Sequence, residues 1–138
     1  MKHDDWPLPD RPIFLGRIEP LPKNLRKPKP RSEHEELFAM QLKAAKLRGW
    51  ERDVRLIQGR KWEYDFSHCV YRLIVEIEGA IWVGGRHVTG AGFERDCEKY
   101  NAATSAGYRL WRFTPRMVAE GEALRVIEAA INKFGRAF

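Results

Sequence analysis

The residues from Glu63 to Gly79, EYDFSHCVYRLIVEIEG, carry the clearest structural pattern in the chain, because apolar and polar side chains alternate along them. A period of two is typical of β-strands, so these residues predict an antiparallel hairpin with strands at 62–67 and 70–78 and a turn at Ser67-His68. The alternate apolar side chains form the predicted core face: Trp62, Tyr64 and Phe66 on the first strand, and Tyr71, Leu73, Val75 and Ile77 on the second.

Three acidic residues fall on the opposite face of this hairpin. Glu76 and Glu78 lie one pleat repeat apart, about 7 Å between Cα atoms, and a tight hairpin brings Asp65 beside Glu76. Carboxylates at this spacing repel one another unless a cation or a proton intervenes. The pattern therefore has two interpretations: a site for a hard divalent cation, or a solvated sheet face whose acids pair with Arg72 and other basic residues. By itself the pattern favours the solvated face.

The segments around the hairpin predict a single α/β domain. Ser32 and Glu35 have the spacing of a helix-capping box, so a helix begins at Ser32, and Gly49 is expected to end it. The remaining predicted elements are a strand at 50–58, a glycine-rich loop at 79–92, a helix at 93–106, a strand at 108–113, and a helix that follows the N-cap pair Thr114-Pro115. The order αβββαβα predicts a mixed β-sheet flanked by helices.

The N-terminal residues 1–31 differ in composition from the remainder of the chain. Seven of the eight prolines lie there, together with eight Lys/Arg against four Asp/Glu, which gives +4 of the net charge of +6. We therefore expect an extended Pro-rich basic arm at 1–31. Lys27 and Lys29 in this arm either lie along a phosphate backbone or remain solvated.

Two further expectations concern location. No apolar run approaches the length of a membrane span, so no membrane partner is expected. The first residues, Met1 to Asp5, also lack the apolar region of a signal peptide. We therefore expect a cytoplasmic protein.

The acidic hairpin resembles the core of the PD-(D/E)XK nuclease superfamily, in which an Asp on one strand precedes a strand ending in acids. Here Glu76 follows Asp65 by eleven positions, within Val-Glu-Ile-Glu-Gly. The segments GGRHVTGAGFERDCEKYNAA (84–103) and GYRLWRFTPRMV (107–118) are similar to a phage- and prophage-associated branch related to very-short-patch-repair-like endonucleases. The resemblance covers residues 32–131.

The resemblance implies a restriction-endonuclease-like fold, with residues 32–138 as the endonuclease domain. It also implies a metal-dependent endonuclease that hydrolyses phosphodiester bonds in duplex or branched DNA, in the cytoplasm of a bacterial or phage-infected host cell. Mg²⁺, or Mn²⁺ in its place, would be held by Asp65 and Glu76, with the Ile77 carbonyl as a further ligand.

The general base is less clearly implied, because the superfamily commonly has Lys where this chain has Glu78. Glu78 is interpreted as the base, as an additional ligand, or as a sign of a two-metal arrangement. The superfamily often adds a Glu from its first helix, and both Glu35 and Glu36 qualify. Glu36 is favoured, because the capping box already accounts for Glu35.

Several basic side chains are predicted to act on phosphate. His87 in the glycine-rich loop would shuttle a proton or contact the scissile phosphate, although a loop histidine is often simply exposed. Arg86 beside it and Arg112 on the last strand suit phosphate binding. Lys99 either forms a surface ion pair with Asp96 or replaces the missing lysine and contacts DNA.

Two other functions are compatible with the sequence. Because Glu78 replaces lysine and the arm is basic, the chain is alternatively a catalytically inactive nuclease-fold module for DNA binding or assembly, with salt-sensitive binding and no cleavage. An RNA-directed enzyme is disfavoured, since no aromatic RNA-binding strand is present. Symmetric cutting of both strands would favour a homodimer, but no helix has an obvious dimer seam.

Overall fold

The computed structural model describes residues 31–79 and 90–135. Their elements, in chain order, are α1 (Glu33–Ala44), β1 (Trp50–Val54), β2 (Tyr64–His68), β3 (Leu73–Ile77), α2 (Gly90–Ser105), β4 (Arg109–Phe113), α3 (Pro115–Ala119) and α4 (Glu122–Gly135). The predicted α/β order is confirmed, with the last helix divided into α3 and α4. None of the helices in these two ranges is long and apolar enough to cross a membrane. The predicted arm lies outside the described residues, apart from Arg31.

The strands of the described residues form one mixed sheet in the order β1-β2-β3-β4. The pairs β1–β2 and β2–β3 are antiparallel, whereas β3 and β4 are parallel. Parallel neighbours need a long crossover connection, and α2 lies in that connection. The strand that carries Glu76 is therefore an inner strand, with the sequence-adjacent β2 on one side and β4 on the other.

Two apolar clusters make β3 buried on both faces. The first cluster joins the sheet to α1, α3 and α4, and its buried members are Phe38, Leu42, Phe66, Val75, Ile77, Phe113, Val118, Ala123 and Ile127. The second cluster joins Tyr64 and Ile74 to Ala103 of α2. A solvated acidic face on β3 is therefore wrong for Glu76, since Ile74 beside it is fully buried and α2 covers this side.

Helix α1 begins as predicted and ends early. The Ser32 hydroxyl accepts a hydrogen bond from the Glu35 N–H (3.1 Å), and the Glu35 carboxylate accepts one from the Ser32 N–H (3.3 Å). The helix ends at Ala44, five residues before Gly49, and Lys46 adopts a left-handed φ of 58°. Leu47, which falls within the predicted helix, packs against the first cluster from the loop. Helix α2 shows the opposite error, since it begins at Gly90 within the predicted loop.

The hairpin turn lies at 69–72 and not at Ser67-His68. His68 pairs with Leu73 as part of β2, and its ring stacks on Tyr71 with 4.5 Å between centroids. Its Nε2 lies 2.9 Å from the carbonyl oxygen of Arg48. Gly49 has a φ of 92°, and a Cβ there would lie 2.7 Å from His68 Nε2. The loop after α1 thus packs against His68, a contact between distant residues that local turn propensity does not include.

Candidate active site

Asp65 and Glu76 lie beside each other where the regular pairing of β2 and β3 stops. The recorded backbone pairing of these strands reaches Phe66 opposite Val75. Beyond it, the Asp65 N–H donates to Glu76 Oε1 (3.0 Å), and the Ile77 N–H donates to Asp65 Oδ2 (2.9 Å). Each carboxylate thus accepts a backbone N–H of the opposite strand. The two acids are 5% and 6% exposed, so they form a fixed and buried pair.

The backbone of β1 is also irregular next to Asp65. The recorded pairs of β1 and β2 are Arg52 with Phe66 and Val54 with Tyr64, and between them Asp53 has a left-handed φ of 52°. Such a backbone is uncommon for a residue with a side chain. Tyr64 and Phe66 of β2, predicted to share one face, lie in different apolar clusters. The simple alternation therefore fails at Asp65.

The buried pair changes the acidity of Glu76. Burial is the largest cause and the nearby Asp65 charge the second, and together they raise the pKa of Glu76 from 4.5 to about 7. The Lys99 ammonium opposes both effects, since its Nζ lies 2.8 Å from Glu76 Oε2. A carboxylate in this environment gains from any nearby cation.

Lys99 is placed at this pair by α2. Its Nζ lies 4.8 Å from the centre of the Tyr64 ring and 5.8 Å from that of the Tyr100 ring. The Tyr64 hydroxyl donates to the Lys99 backbone carbonyl at 2.8 Å. The ion pair recorded for Lys99 joins it to Glu76, so the predicted surface pair with Asp96 is wrong.

Glu78 lies in a different environment, although it is two residues from Glu76. Its N–H donates to the Phe113 carbonyl (2.8 Å), which continues the contact of β3 with β4. Its Oε1 accepts hydrogen bonds from the Tyr100 hydroxyl (2.8 Å) and from Arg112 Nε (2.7 Å). Among residues 31–79 and 90–135, no three acidic, His or Cys side chains are arranged to hold a metal. The expected convergence of three acids on one cation is therefore wrong for this part of the chain.

The structure brings a further side chain, Tyr100, next to the candidate site. Its helical spacing with Phe93 and Cys97 predicts a core position, but Phe93 is largely exposed and Tyr100 is half-buried. Burial and the hydrogen bond to Glu78 raise the pKa of the Tyr100 phenol. Its position next to Lys99 in the sequence was the signal that could have indicated it.

The first-helix acids have contacts of their own. Glu36 is half-exposed and forms an ion pair with Arg52 at 2.9 Å, with Arg31 at 4.0 Å. Arg52 in turn lies over the Phe66 ring, 5.0 Å from its centre. Glu35 is buried and takes part in the cap of α1. The catalytic role of Glu36 stays a prediction. The predicted contacts of Lys27, Lys29, Arg86 and His87 lie outside the described residues.

The donor set at the buried pair fits a hard divalent cation. Mg²⁺ usually takes one or two protein carboxylates and completes its shell with water and substrate oxygens, and Asp65 and Glu76 supply two. The repulsion that raises the pKa of Glu76 would be relieved by such an ion. Among the described residues, the ammonium of Lys99 is a cation in contact with this pair.

A comparison with solved structures relates this chain to the catalytic domain of the homing endonuclease I-Bth0305I. The two share 16% sequence identity with a TM-score of 0.55, over 75% of this chain and 98% of that domain. No family model and no curated protein matches the sequence. The likeness concerns the fold: the two chains share a similar arrangement, which here is a mixed four-stranded sheet with flanking helices.

Proposed function

We propose that this protein is a metal-dependent DNA endonuclease that hydrolyses phosphodiester bonds in duplex or branched DNA. The observation that carries the proposal is the buried pair of Asp65 and Glu76, held together by backbone N–H groups of opposite strands. Placing two carboxylates together in a buried site is costly unless cations compensate them. The fold likeness to a homing endonuclease catalytic domain supports the same function.

The buried pair would hold Mg²⁺, or Mn²⁺ in its place, with the Ile77 carbonyl as a further ligand. When bound, the ion polarises the phosphate and lowers the pKa of the attacking water. Asp65 and Glu76 would hold the ion through their fixed carboxylates, and the Lys99 ammonium offsets negative charge beside them. Lys99 is also a proposed DNA contact, since phosphate and Glu76 would both attract it.

The general base is proposed to be His87, because imidazole titrates near neutral pH. The other two predicted groups, Glu78 and Glu36, are each engaged by an arginine. Further proposed DNA contacts are basic side chains that suit phosphate: Lys27, Lys29, Arg86 and Arg112. A relation to very-short-patch-repair-like endonucleases, a phage association and a cytoplasmic location belong to the same proposal.

A second candidate is a nuclease-fold module that binds DNA without cutting it. The observation that favours it is the ion pair of Lys99 with Glu76, which already supplies the acidic pair with a cation. This module would bind DNA in a salt-sensitive way. It would give no product with any divalent metal.

The test is a metal titration on supercoiled plasmid and on branched oligonucleotides, with Mg²⁺, Mn²⁺, Ca²⁺ and EDTA. The wild type is expected to cut with Mg²⁺ or Mn²⁺ and not in EDTA. Asp65→Ala should lower the rate at least about 100-fold, the scale of removing an electrostatic group from an active site. The matched control is Glu63→Ala, since Glu63 is a nearby acid that pairs with Arg55.

Two outcomes would contradict the nuclease proposal. A folded Asp65→Ala protein that cuts at the wild-type rate would exclude the acidic pair from the chemistry. Salt-sensitive DNA binding without cleavage under any metal would favour the binding module instead.

A further inference from the structure

Glu78, Tyr100 and Arg112 form a connected group beside the buried acidic pair, named here the Glu78 cluster. We propose that Glu78 is a positioning residue, which holds the Arg112 guanidinium against Tyr100 with its outer edge directed to a DNA backbone phosphate. This inference rests on the proposed function, because that function supplies the phosphate. It assigns to Glu78 a role other than base or metal ligand.

One carboxylate oxygen joins the members of the cluster. Glu78 Oε1 accepts from the Tyr100 hydroxyl of α2 (2.8 Å) and from Arg112 Nε of β4 (2.7 Å). The backbone of Glu78 is itself fixed, because its N–H donates to the Phe113 carbonyl. The Glu78 side chain is 18% exposed, so water screens these bonds only in part. The carboxylate is therefore a fixed acceptor between a helix and a strand.

Within residues 31–79 and 90–135, the contacts of Arg112 leave the outer part of its guanidinium available. The carboxylate takes the Nε–H, and the guanidinium carbon lies 4.5 Å from the centre of the Tyr100 ring. The hydrogen bond recorded between Arg112 and the described residues uses Nε and neither terminal nitrogen. The side chain is 44% exposed. A planar edge with two terminal nitrogens matches two oxygens of a phosphate group.

The position of the cluster suits a phosphate close to the acidic pair. Arg112 and Glu76 are Cα partners in the parallel pairing of β3 and β4, and such neighbours lie about 5 Å apart. Tyr100 directly follows Lys99, whose ammonium contacts Glu76. A DNA strand held by Arg112 would therefore pass beside Asp65 and Glu76.

The contacts of the Glu78 carboxylate determine whether its removal should weaken or tighten DNA binding. A carboxylate without partners at this place would repel DNA, and its removal would tighten binding. Here the carboxylate is paired with the guanidinium and accepts a phenol hydrogen bond, while it restricts the orientation of Arg112. Removing Glu78 should accordingly weaken DNA binding.

The experiment measures binding of a labelled DNA duplex by fluorescence anisotropy in EDTA, over a range of NaCl concentrations. Glu78→Ala and Arg112→Ala should each weaken binding about ten-fold, the scale of one charge-assisted phosphate contact. The double variant should bind no more weakly than Arg112→Ala, because the two residues act as a unit. Arg112→Ala should also lower the salt slope by about one.

Two further variants separate positioning from a general structural effect. Glu78→Gln keeps an oxygen that accepts both hydrogen bonds and should restore most of the binding. Arg109→Ala removes the other exposed arginine of β4, which lies over Phe134, 3.9 Å from its ring centre, and should change binding little. Circular dichroism shows whether each variant is folded. If Glu78→Ala does not fold, Arg112→Lys replaces it, since lysine keeps the charge but lacks the Nε–H.

The proposal is overturned if Glu78→Ala binds DNA as tightly as the wild type or more tightly, or if Arg112→Lys binds like the wild type. It is also overturned if the wild type does not bind DNA. A wild type that binds DNA but cuts with no metal removes the nuclease function and leaves this inference in place. A cutting wild type whose Glu78→Ala variant loses kcat with unchanged KM removes this inference alone.

Discussion

Two acids from the end of the same strand have contrasting surroundings. Glu76 is buried, accepts a backbone N–H from Asp65 and has a pKa raised to about 7. Glu78 is partly exposed and accepts side-chain donors from α2 and β4. The first environment favours a proton or a cation, and the second joins Glu78 to two neighbouring elements. Identical residue types two positions apart can thus serve different tasks, because neighbouring elements decide what surrounds them.

The largest difference between the two acids is expected when the charge of each is removed in turn. Glu76→Gln should lower the cleavage rate about 100- to 1,000-fold, because the amide keeps the shape but binds a divalent cation poorly. Glu78→Gln should change kcat little and raise KM at most a few-fold, because the amide oxygen still accepts both hydrogen bonds. Single-turnover and steady-state cleavage assays measure both. Equal losses of kcat in the two variants would show that the acids share one task.

The pH dependence of stability tests the burial of Glu76 without DNA. The folded pKa of Glu76 lies above its unfolded value, so the folded state binds the extra proton between pH 4.5 and about 7. The contribution of Glu76 to the free energy of unfolding should therefore fall as pH rises through this window. Urea unfolding in EDTA across this range measures the fall, and Glu76→Gln should reduce it. An unchanged pH profile in that variant would contradict the burial argument.

A matched pair of tyrosine variants compares two hydrogen bonds that join α2 to the sheet, one from Tyr64 to the Lys99 carbonyl and one from Tyr100 to Glu78. Tyr64→Phe removes the hydrogen bond to the Lys99 carbonyl from a fully buried site and should cost about 1 kcal/mol. Tyr100→Phe removes the bond to Glu78 from a half-buried site and should cost less. Chemical denaturation measures both. A larger loss of stability for Tyr100→Phe than for Tyr64→Phe would contradict the argument that the more deeply buried hydrogen bond contributes more.

The smallest expected effect concerns Glu36. Its ion pair with Arg52 is half-exposed, and such pairs contribute roughly 0 to 1 kcal/mol, so Glu36→Ala should leave stability almost unchanged. The same variant tests the predicted catalytic role. A cleavage loss as large as that of Glu76→Gln, in a protein with wild-type stability, would add Glu36 to the acidic site.

The order of the elements and the meeting of Asp65 with Glu76 were predictable, because both follow from local periodicity and a short connection. The break in pairing at Asp65 was not predictable, since side chains replace backbone partners there. The partners of Glu78 and Lys99 depend on how α2 lies over the sheet. Periodicity gives the apolar side of a helix but not the strand residues that its polar side chains reach.

Helix α2 is joined to the sheet largely through polar contacts. Ala103 is its buried residue, and its links to the strands include the Tyr64–Lys99, Lys99–Glu76 and Tyr100–Glu78 contacts. Segments with few buried apolar contacts open at low free-energy cost. The backbone amides at the start of α2 should therefore exchange with deuterium well before those of β3, and a metal ion that competes for Glu76 should alter that exchange rate.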